Sequence, residues 1–187
     1  MRIISGNFRG KKILEPSDKS TRPLKDLTKE SLFNIILHSN KFNLKIKNAN
    51  ILDIFSGVGS FGLECLSREA SNVVFVENYA KVLPILKKNI INLNSLEKST
   101  ILEKDAFRKL DFNNLDSKFD IIFMDPPYKE TLILELLRKI YEARILNEEG
   151  VIIIHRHKNE TDKSDKFFNI IEEKSYGISK IIFGKFI

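Results

Sequence analysis

Residues 50–62, "NILDIFSGVGSFG", decide how the rest of the chain is read. The apolar run at its start fits a buried strand. It breaks into a turn with Gly57, Gly59 and Gly62 in GxGxxG spacing, and the turn opens a helix through "LECLSRE". Glycines at such a turn allow tight backbone geometry and close approach of the main chain to a ligand. A second strand, "NVVFVE", ends at Glu77, about twenty residues past the first glycine, where an acidic side chain can hydrogen-bond ribose hydroxyls. GxGxxG alone is common. Strand, glycine turn, helix and terminal acid in this order point to a nucleotide-type cofactor.

Outward from that unit the pattern repeats. A helix spans "AKVLPILKKNIINLN" with Pro84 tolerated in its first turns, "STILEKDA" reads as a third strand and "KFDIIFMD" as a fourth. A helix over "KETLILELLRKIYEARIL" and a fifth strand over "GVIIIHR" follow, and two strand-like runs meet at "SYGIS" as an antiparallel hairpin. Strands alternating with helices at this spacing imply a doubly wound, Rossmann-like α/β fold. The expectation is a mainly parallel seven-stranded sheet with a C-terminal antiparallel hairpin. Residues 1–40 differ: a small β-hairpin arm turns at Gly6 and Gly10, and a helix over "DLTKESLFNIILHS" offers Leu27, Leu32, Phe33, Ile36 and Leu37 as its apolar face. The division expected is a basic arm and helix over 1–40 and one catalytic-type domain over 41–187.

Bulk composition narrows the class. The chain has 187 residues, 42% apolar and 30% charged, with a formal charge of +6. Residues 1–30 carry eight Lys or Arg against four Asp or Glu, so most of the excess lies in the arm and favours an anionic partner. A single cysteine, Cys65, excludes an intrachain disulfide or a cysteine metal cluster and fits a reducing cytoplasm. His155 and His157 form a lone HxH without a third ligand, which reads as a solvated strand end rather than a metal site. The start lacks an apolar signal core and no run reaches membrane-spanning length. A monomer in the cytoplasm, with neither metal nor membrane, is expected.

The carboxylates choose the cofactor. Asp53 sits just inside the glycine turn, beside Phe55, Ser56, Gly57 and Gly59. A carboxylate there repels a pyrophosphate but suits a ligand with a cationic amino-acid end, as S-adenosylmethionine has. Glu77 then meets the ribose, and Asp105 with Ala106, after the third strand, lies beside the adenine. The fourth strand ends in Asp125, Pro126, Pro127 and Tyr128. In a sheet of this kind ligands lie outside the carboxyl ends of the strands at the switch point, which here falls between the first and fourth strands. An exocyclic nucleobase amine is a poor nucleophile because its lone pair is delocalised. The Asp125 carboxylate and the Pro126 carbonyl can accept its two N–H groups and turn the lone pair toward the sulfonium methyl. Rigid prolines hold those acceptors, and Tyr128 can stack on the base.

Glycine turn, acidic second strand and DPPY resemble a class I S-adenosylmethionine-dependent amino-methyltransferase. More closely, the chain is similar, nearly end to end, to the bacterial small-subunit rRNA (guanine-N2) methyltransferase family that modifies guanine 966 of 16S rRNA. The likeness rests on "MRIISGNFRGKKI", "TRPLKDLTKESLFNII", "ILDIFSGVGSFGLECLSREASNVVFVE", "FDIIFMDPPY" and "YGISKIIF". It implies that Asp53, Gly57, Gly59 and Glu77 hold the donor, Asp105 its adenine, and Asp125 to Tyr128 the guanine of 16S rRNA, within an assembled small subunit. The family reads closer to "RPTTDRVRESLFN" where this chain has Leu24, Lys25, Leu27 and Thr28, and usually places an acid where this chain has His155. Arg2, Arg9, Lys11, Lys12, Arg22 and Lys25 could follow a phosphate backbone, with Phe8 stacking. Rival readings are methylation of adenine N6 or of a protein glutamine amide, a nicotinamide oxidoreductase built on GxGxxG, and a non-catalytic RNA-binding assembly factor.

Overall fold

The structure, a computed structural model, describes residues 1–16, 26–127, 131–160 and 166–187. Its sheet is built from β1 (Asn50–Ile54), β2 (Asn72–Val76), β3 (Ser99–Leu102), β4 (Phe119–Met124), β5 (Leu146–His157), β6 (Phe168–Tyr176) and β7 (Ser179–Phe186). Their order across the sheet is β3-β2-β1-β4-β5-β7-β6. The first five run parallel, and β7 lies antiparallel between β5 and β6. The doubly wound sheet with a C-terminal hairpin, expected from the alternation of strand and helix patterns, is therefore what the chain forms. Connection order reverses between β1 and β4, which places the switch point where the sequence put it.

Register decides which side chains share a face. Ile51 pairs with Val73 and Ile121, Ile121 with Val151, and Ile153 with Phe183. Since side chains alternate along a strand, odd-numbered residues of β1, β2, β4 from Ile121 onward and β5 from Val151 onward point to one face and even-numbered ones to the other. The odd face packs under α1 (Asp26–His38), α2 (Ser60–Ser67) and α3 (Leu83–Asn92), whose Leu32, Phe33, Ile36, Phe61, Leu86 and Ile90 join its core. The even face packs against α4 (Ile133–Ala143) through Ile133, Leu136, Leu137 and Ile140. Pro84 falls in the first turn of α3, where a missing N–H is harmless.

The apolar face expected for α1 is corrected by the structure. Leu32, Phe33 and Ile36 are buried, but Leu27 is 79% exposed and Leu37 is exposed too. The fourth inward position is Lys29, fully buried, which completes a 29/32/33/36 stripe at helical spacing. Its ammonium donates to the Arg2 carbonyl oxygen at 2.7 Å and lies 3.7 Å from the equally buried Glu64 carboxylate. Burial lowers the Lys29 pKa from its ordinary value, and Glu64 opposes that shift.

Glu64 also organises the arm, accepting from the Ile4 and Ser5 amides at 2.8 and 3.0 Å and from Arg68 Nε at 3.0 Å. Further along, the Asn7 amide donates to the Ser67 carbonyl oxygen and the Phe8 amide to Ser67 Oγ. A Cβ on Gly6 would sit 1.9 Å from that Ser67 oxygen, so only glycine allows the strap to lie this close. The Ile4, Ser5, Asn7 and Phe8 amides thus go to α2, while those of Ile3, Arg9, Gly10, Lys11 and Ile13 donate to carbonyl oxygens within the arm. The small hairpin expected from sequence is held by an antiparallel bridge of Arg2 with Lys12 and by the Ile3 amide donating to the Lys11 carbonyl oxygen, Gly10 to Ile3 and Ile13 to Met1, and all eight residues of α2 are buried between arm and sheet.

Candidate active site

The glycine turn joins β1 to α2 at the carboxyl edge of the sheet. Phe55 takes a positive φ of 62°, followed by Gly57 at 54° and Gly59 at 87°. Such a conformation in a bulky non-glycine residue is sparsely populated and is sustained by its surroundings. Here the Phe55 ring lies 5.0 Å from that of Phe107. Gly62 is required for a different reason: a Cβ there would meet Phe75 at 2.4 Å, so its absence brings α2 down onto the sheet. Around Gly57, by contrast, a Cβ would meet nothing within 4 Å, so the turn presents its backbone to open space.

Asp53, Glu77 and Asp125 bring three carboxylates to this rim. Asp53, 1% exposed, accepts from the Gly62 amide at 3.0 Å through Oδ2, and its buried Oδ1 has no hydrogen-bond partner among the described residues. Burial pushes its pKa well above the ordinary aspartate value; the Gly62 amide opposes this, and the charges of Asp125 and Glu77 add to it. Glu77 accepts from the Gly57 amide at 2.7 Å through Oε2, and from the Asn78 and Tyr79 amides, each at 2.8 Å, through Oε1. It therefore ties the end of β2 to the glycine turn. A carboxylate has about four acceptor positions, so these three bonds leave one open on the oxygen facing Gly57. Ser56 is buried, and its amide donates to the Val76 carbonyl oxygen at 3.1 Å.

Past β3, Asp105 Oδ1 accepts from the Phe107 and Arg108 amides at 2.9 and 3.2 Å, shaping the turn. Ala106 is buried beside it, and with Phe55 and Phe107 it forms an apolar wall next to the glycine turn. Across the switch point, Ile54 pairs with Met124, and the Asp125 amide donates to the Ile54 carbonyl oxygen at 3.3 Å. Asp125 therefore continues β4 by one residue on the odd face, the face of Asp53. Its side chain is 25% exposed, neither buried inward nor distant from the glycine turn. Pro126 is buried and Pro127 exposed; Tyr128 lies outside the described residues.

His155 corrects the sequence reading. Instead of a solvated strand end it is 8% exposed, and its Nδ1 lies 2.8 Å from Asp125 Oδ1. The register explains the meeting: Met124 pairs with Ile154, so the next residues on β4 and β5 are side by side. A second polar anchor also escaped sequence reasoning. Asn89, buried on α3, donates to the Leu14 and Val58 carbonyl oxygens and accepts from the Leu14 amide, joining arm to glycine turn. Its signal was a polar residue on the inward stripe of α3, between Leu86 and Ile90.

The basic arm is distributed along α2. Met1 lies by Ser60 at the glycine-turn end, whereas Phe8 lies by Ser67 at the other, roughly 10 Å away along the helix axis at about 1.5 Å per residue. Arg2, Arg9, Lys11 and Lys12 are exposed. Phe8 is half-buried, and the Lys11 ammonium sits 5.0 Å from its ring centroid, over one face. Arg22 and Lys25 lie outside the described residues. Among the described residues no group of three His, Cys, Asp or Glu could hold a metal, and no helix is long and apolar enough to cross a membrane.

The chain is similar to known proteins over most of its length. The family model described as "Conserved hypothetical protein 95" matches residues 1–185. The Haemophilus influenzae protein named ribosomal RNA small subunit methyltransferase D is 31% identical over 179 residues, covering 95% of this chain and 90% of that protein. The protein of the same name from Escherichia coli K12 is 30% identical over 154 residues, 82% of this chain and 73% of the relative. The solved structure of Escherichia coli yhhF, described as a methyltransferase candidate, superposes with a TM-score of 0.81 at 27% identity, covering 98% of this chain and 96% of that one. The chain thus belongs to the methyltransferase family of that model, the family of small-subunit rRNA methyltransferase D.

Proposed function

We propose that the protein methylates the exocyclic N2 amine of a guanine in small-subunit rRNA, guanine 966 of the assembled subunit, using S-adenosylmethionine in the cytoplasm. The observation that carries this reading is the placement of Asp125, next to the glycine turn and on the same face as Asp53. Three carboxylates on one rim disfavour the pyrophosphate of a nicotinamide dinucleotide and favour a ligand with a positive end. The residues fit the methyl donor on two further counts. A buried Asp53 oxygen is left without a partner, as a site for an ammonium would leave it, and the space beside Gly57 is open. Glu77 has one acceptor position left for a ribose hydroxyl, and Asp105 with the wall of Phe55, Ala106 and Phe107 suits an adenine.

When bound, the donor supplies a methyl group on a positively charged sulfur. The chain's own residues do the rest. Asp125 and the Pro126 carbonyl accept the amine's N–H groups and turn its lone pair outward, while proline rigidity keeps both acceptors fixed. Positioning of this kind can contribute on the order of 7–11 kcal/mol to lowering a barrier. The choice of aspartate also favours guanine over adenine. A carboxylate only accepts, which suits an edge where N1–H and the N2 amine are adjacent donors; the corresponding adenine edge pairs an amine with an acceptor nitrogen. Exposed Arg2, Arg9, Lys11 and Lys12, with Arg22 and Lys25, follow the rRNA backbone.

The test is mass spectrometry of rRNA nucleosides from cells with and without the protein, together with the Asp125→Ala enzyme. N2-methylguanosine should disappear with the gene, and Asp125→Ala should lose transfer while its donor affinity stays within about threefold, because that carboxylate acts on the base. Loss of an N6-methyladenosine instead, or equal loss of transfer and donor binding, would refute the assignment.

A further inference from the structure

We propose that His155 is a positioning residue for methyl transfer: its Nδ1–H fixes one oxygen of Asp125, so that the other is presented to the target amine. This rests on the reading of Asp125 given under Proposed function. The need for such a partner follows from the side chain itself. The torsion that orients an aspartate carboxylate is broad and roughly two-fold, and Asp125 stands past the end of β4, where the strand ladder no longer restrains it. A partly exposed carboxylate in that place would sample many orientations. The imidazole removes this freedom. It is more than nine-tenths buried, it extends from β5 directly beside Asp125, and its Nδ1 lies 2.8 Å from Oδ1.

The environment of the ring fits this role. With the proton on Nδ1, the imidazole donates to the carboxylate, and it does so in either charge state, since the imidazolium carries that proton too. Nε2 is buried without a hydrogen-bond partner among the described residues. A bare lone pair is tolerated there better than an N–H in need of an acceptor, which places the ring proton on Nδ1 rather than Nε2. One oxygen of Asp125 is thus committed to the protein and the other left for the substrate. His155 touches neither base nor donor in this arrangement and acts only through Asp125.

Three substitutions separate this role from simple packing. An asparagine side chain places its amide N–H close to where Nδ1 stands; glutamine is polar but reaches too far; leucine fills the space and donates nothing. The assay is transfer of radiolabelled methyl from S-adenosylmethionine to unmethylated small ribosomal subunits, with donor affinity from calorimetry. His155→Asn should keep kcat within about threefold of the parent, while His155→Gln and His155→Leu lose roughly tenfold to a hundredfold in kcat, with donor binding unchanged. Gln or Leu variants as fast as the parent would overturn the proposal, as would a fall in donor binding equal to the fall in kcat. Asp125→Ala serves as the internal reference. If it still transfers methyl groups, the underlying reading of Asp125 fails; if it is inactive beside a fully active His155→Leu, only the positioning role fails.

Discussion

Replacing Asp53 with asparagine should make the unliganded protein more stable and the donor complex weaker. The carboxylate is 1% exposed, one oxygen is bonded to the Gly62 amide, and the other is buried without a partner among the described residues. Its pKa is pushed well above the ordinary value by burial, with Asp125 and Glu77 adding to the shift. The sign follows from linkage. The folded state holds this proton more tightly than the unfolded chain, so the group's stabilising contribution is complete below the unfolded pKa and is lost as pH rises through the raised folded pKa. As pH rises the group therefore becomes an increasing burden on the empty protein. An asparagine keeps the acceptor for Gly62 and removes the charge, but its buried NH2 takes the place of the unpartnered Oδ1 and offsets part of the relief, leaving a gain of roughly 0.5–1 kcal/mol. For a domain of this size that raises Tm by about 1–4 °C. The donor, however, loses a charge-assisted hydrogen bond of about 1.5–3 kcal/mol, or roughly tenfold to a hundredfold in affinity. Thermal melts from pH 4 to 8, with and without S-adenosylmethionine, read both quantities. The parent should lose stability relative to Asp53→Asn as pH rises. A variant that melts lower than the parent at pH 7, or binds the donor equally well, would refute this account of Asp53.

Other outcomes follow from the arm and its anchor. Changing Arg2, Arg9, Lys11 and Lys12 together to glutamine should weaken subunit binding and flatten its dependence on log salt by up to about 3.6, since each phosphate that is no longer neutralised lowers the slope by about 0.7–0.9. An unaltered slope in filter-binding titrations would put the arm away from the RNA. Glu64→Gln strands the buried Lys29 without its counter-charge and should destabilise the fold by about 3–5 kcal/mol in urea titrations. Adding Lys29→Met should recover part of that loss; a double variant as unstable as the single one would deny the coupling between the two side chains.

The parts of this molecule that were legible in its sequence are those governed by local pattern. Alternating strand and helix runs implied the doubly wound sheet, its terminal hairpin and the neighbouring first and fourth strands, because crossover rules leave few ways to connect them. Asp53, Glu77 and Asp125 could be placed because each sits at a fixed offset from a glycine turn or a proline pair. His155 could not. Its meeting with Asp125 depends on the register between β4 and β5, and that register shifts between Phe119, which pairs with Leu146, and Ile121, which pairs with Val151. Counting from strand starts would misalign the two side chains, and an HxH at a strand end carries no mark of burial. Lys29 was hidden differently. The 29/32/33/36 spacing was present, but a lysine is discounted as inward until a buried acid is known to face it, and Glu64 comes from another helix.

The buried polar residues also tie the arm to the glycine turn. The arm contributes few apolar side chains, Ile3 and Ile13 among them, to the odd-face core. What fixes its path is hydrogen bonding of its backbone to Glu64, Ser67 and Asn89. Such bonds have strict geometry, whereas apolar contact alone would let the strap slide along α2. Asn89 reaches from Leu14 to Val58, inside the glycine turn itself. Any displacement of the arm by a bound anion therefore bears on the backbone that surrounds Gly57, and any ordering of that turn by a ligand bears on the arm. Coupling through one buried amide requires no moving domain; it requires only that neither of its N–H donors can be given up without leaving a buried carbonyl unpaired.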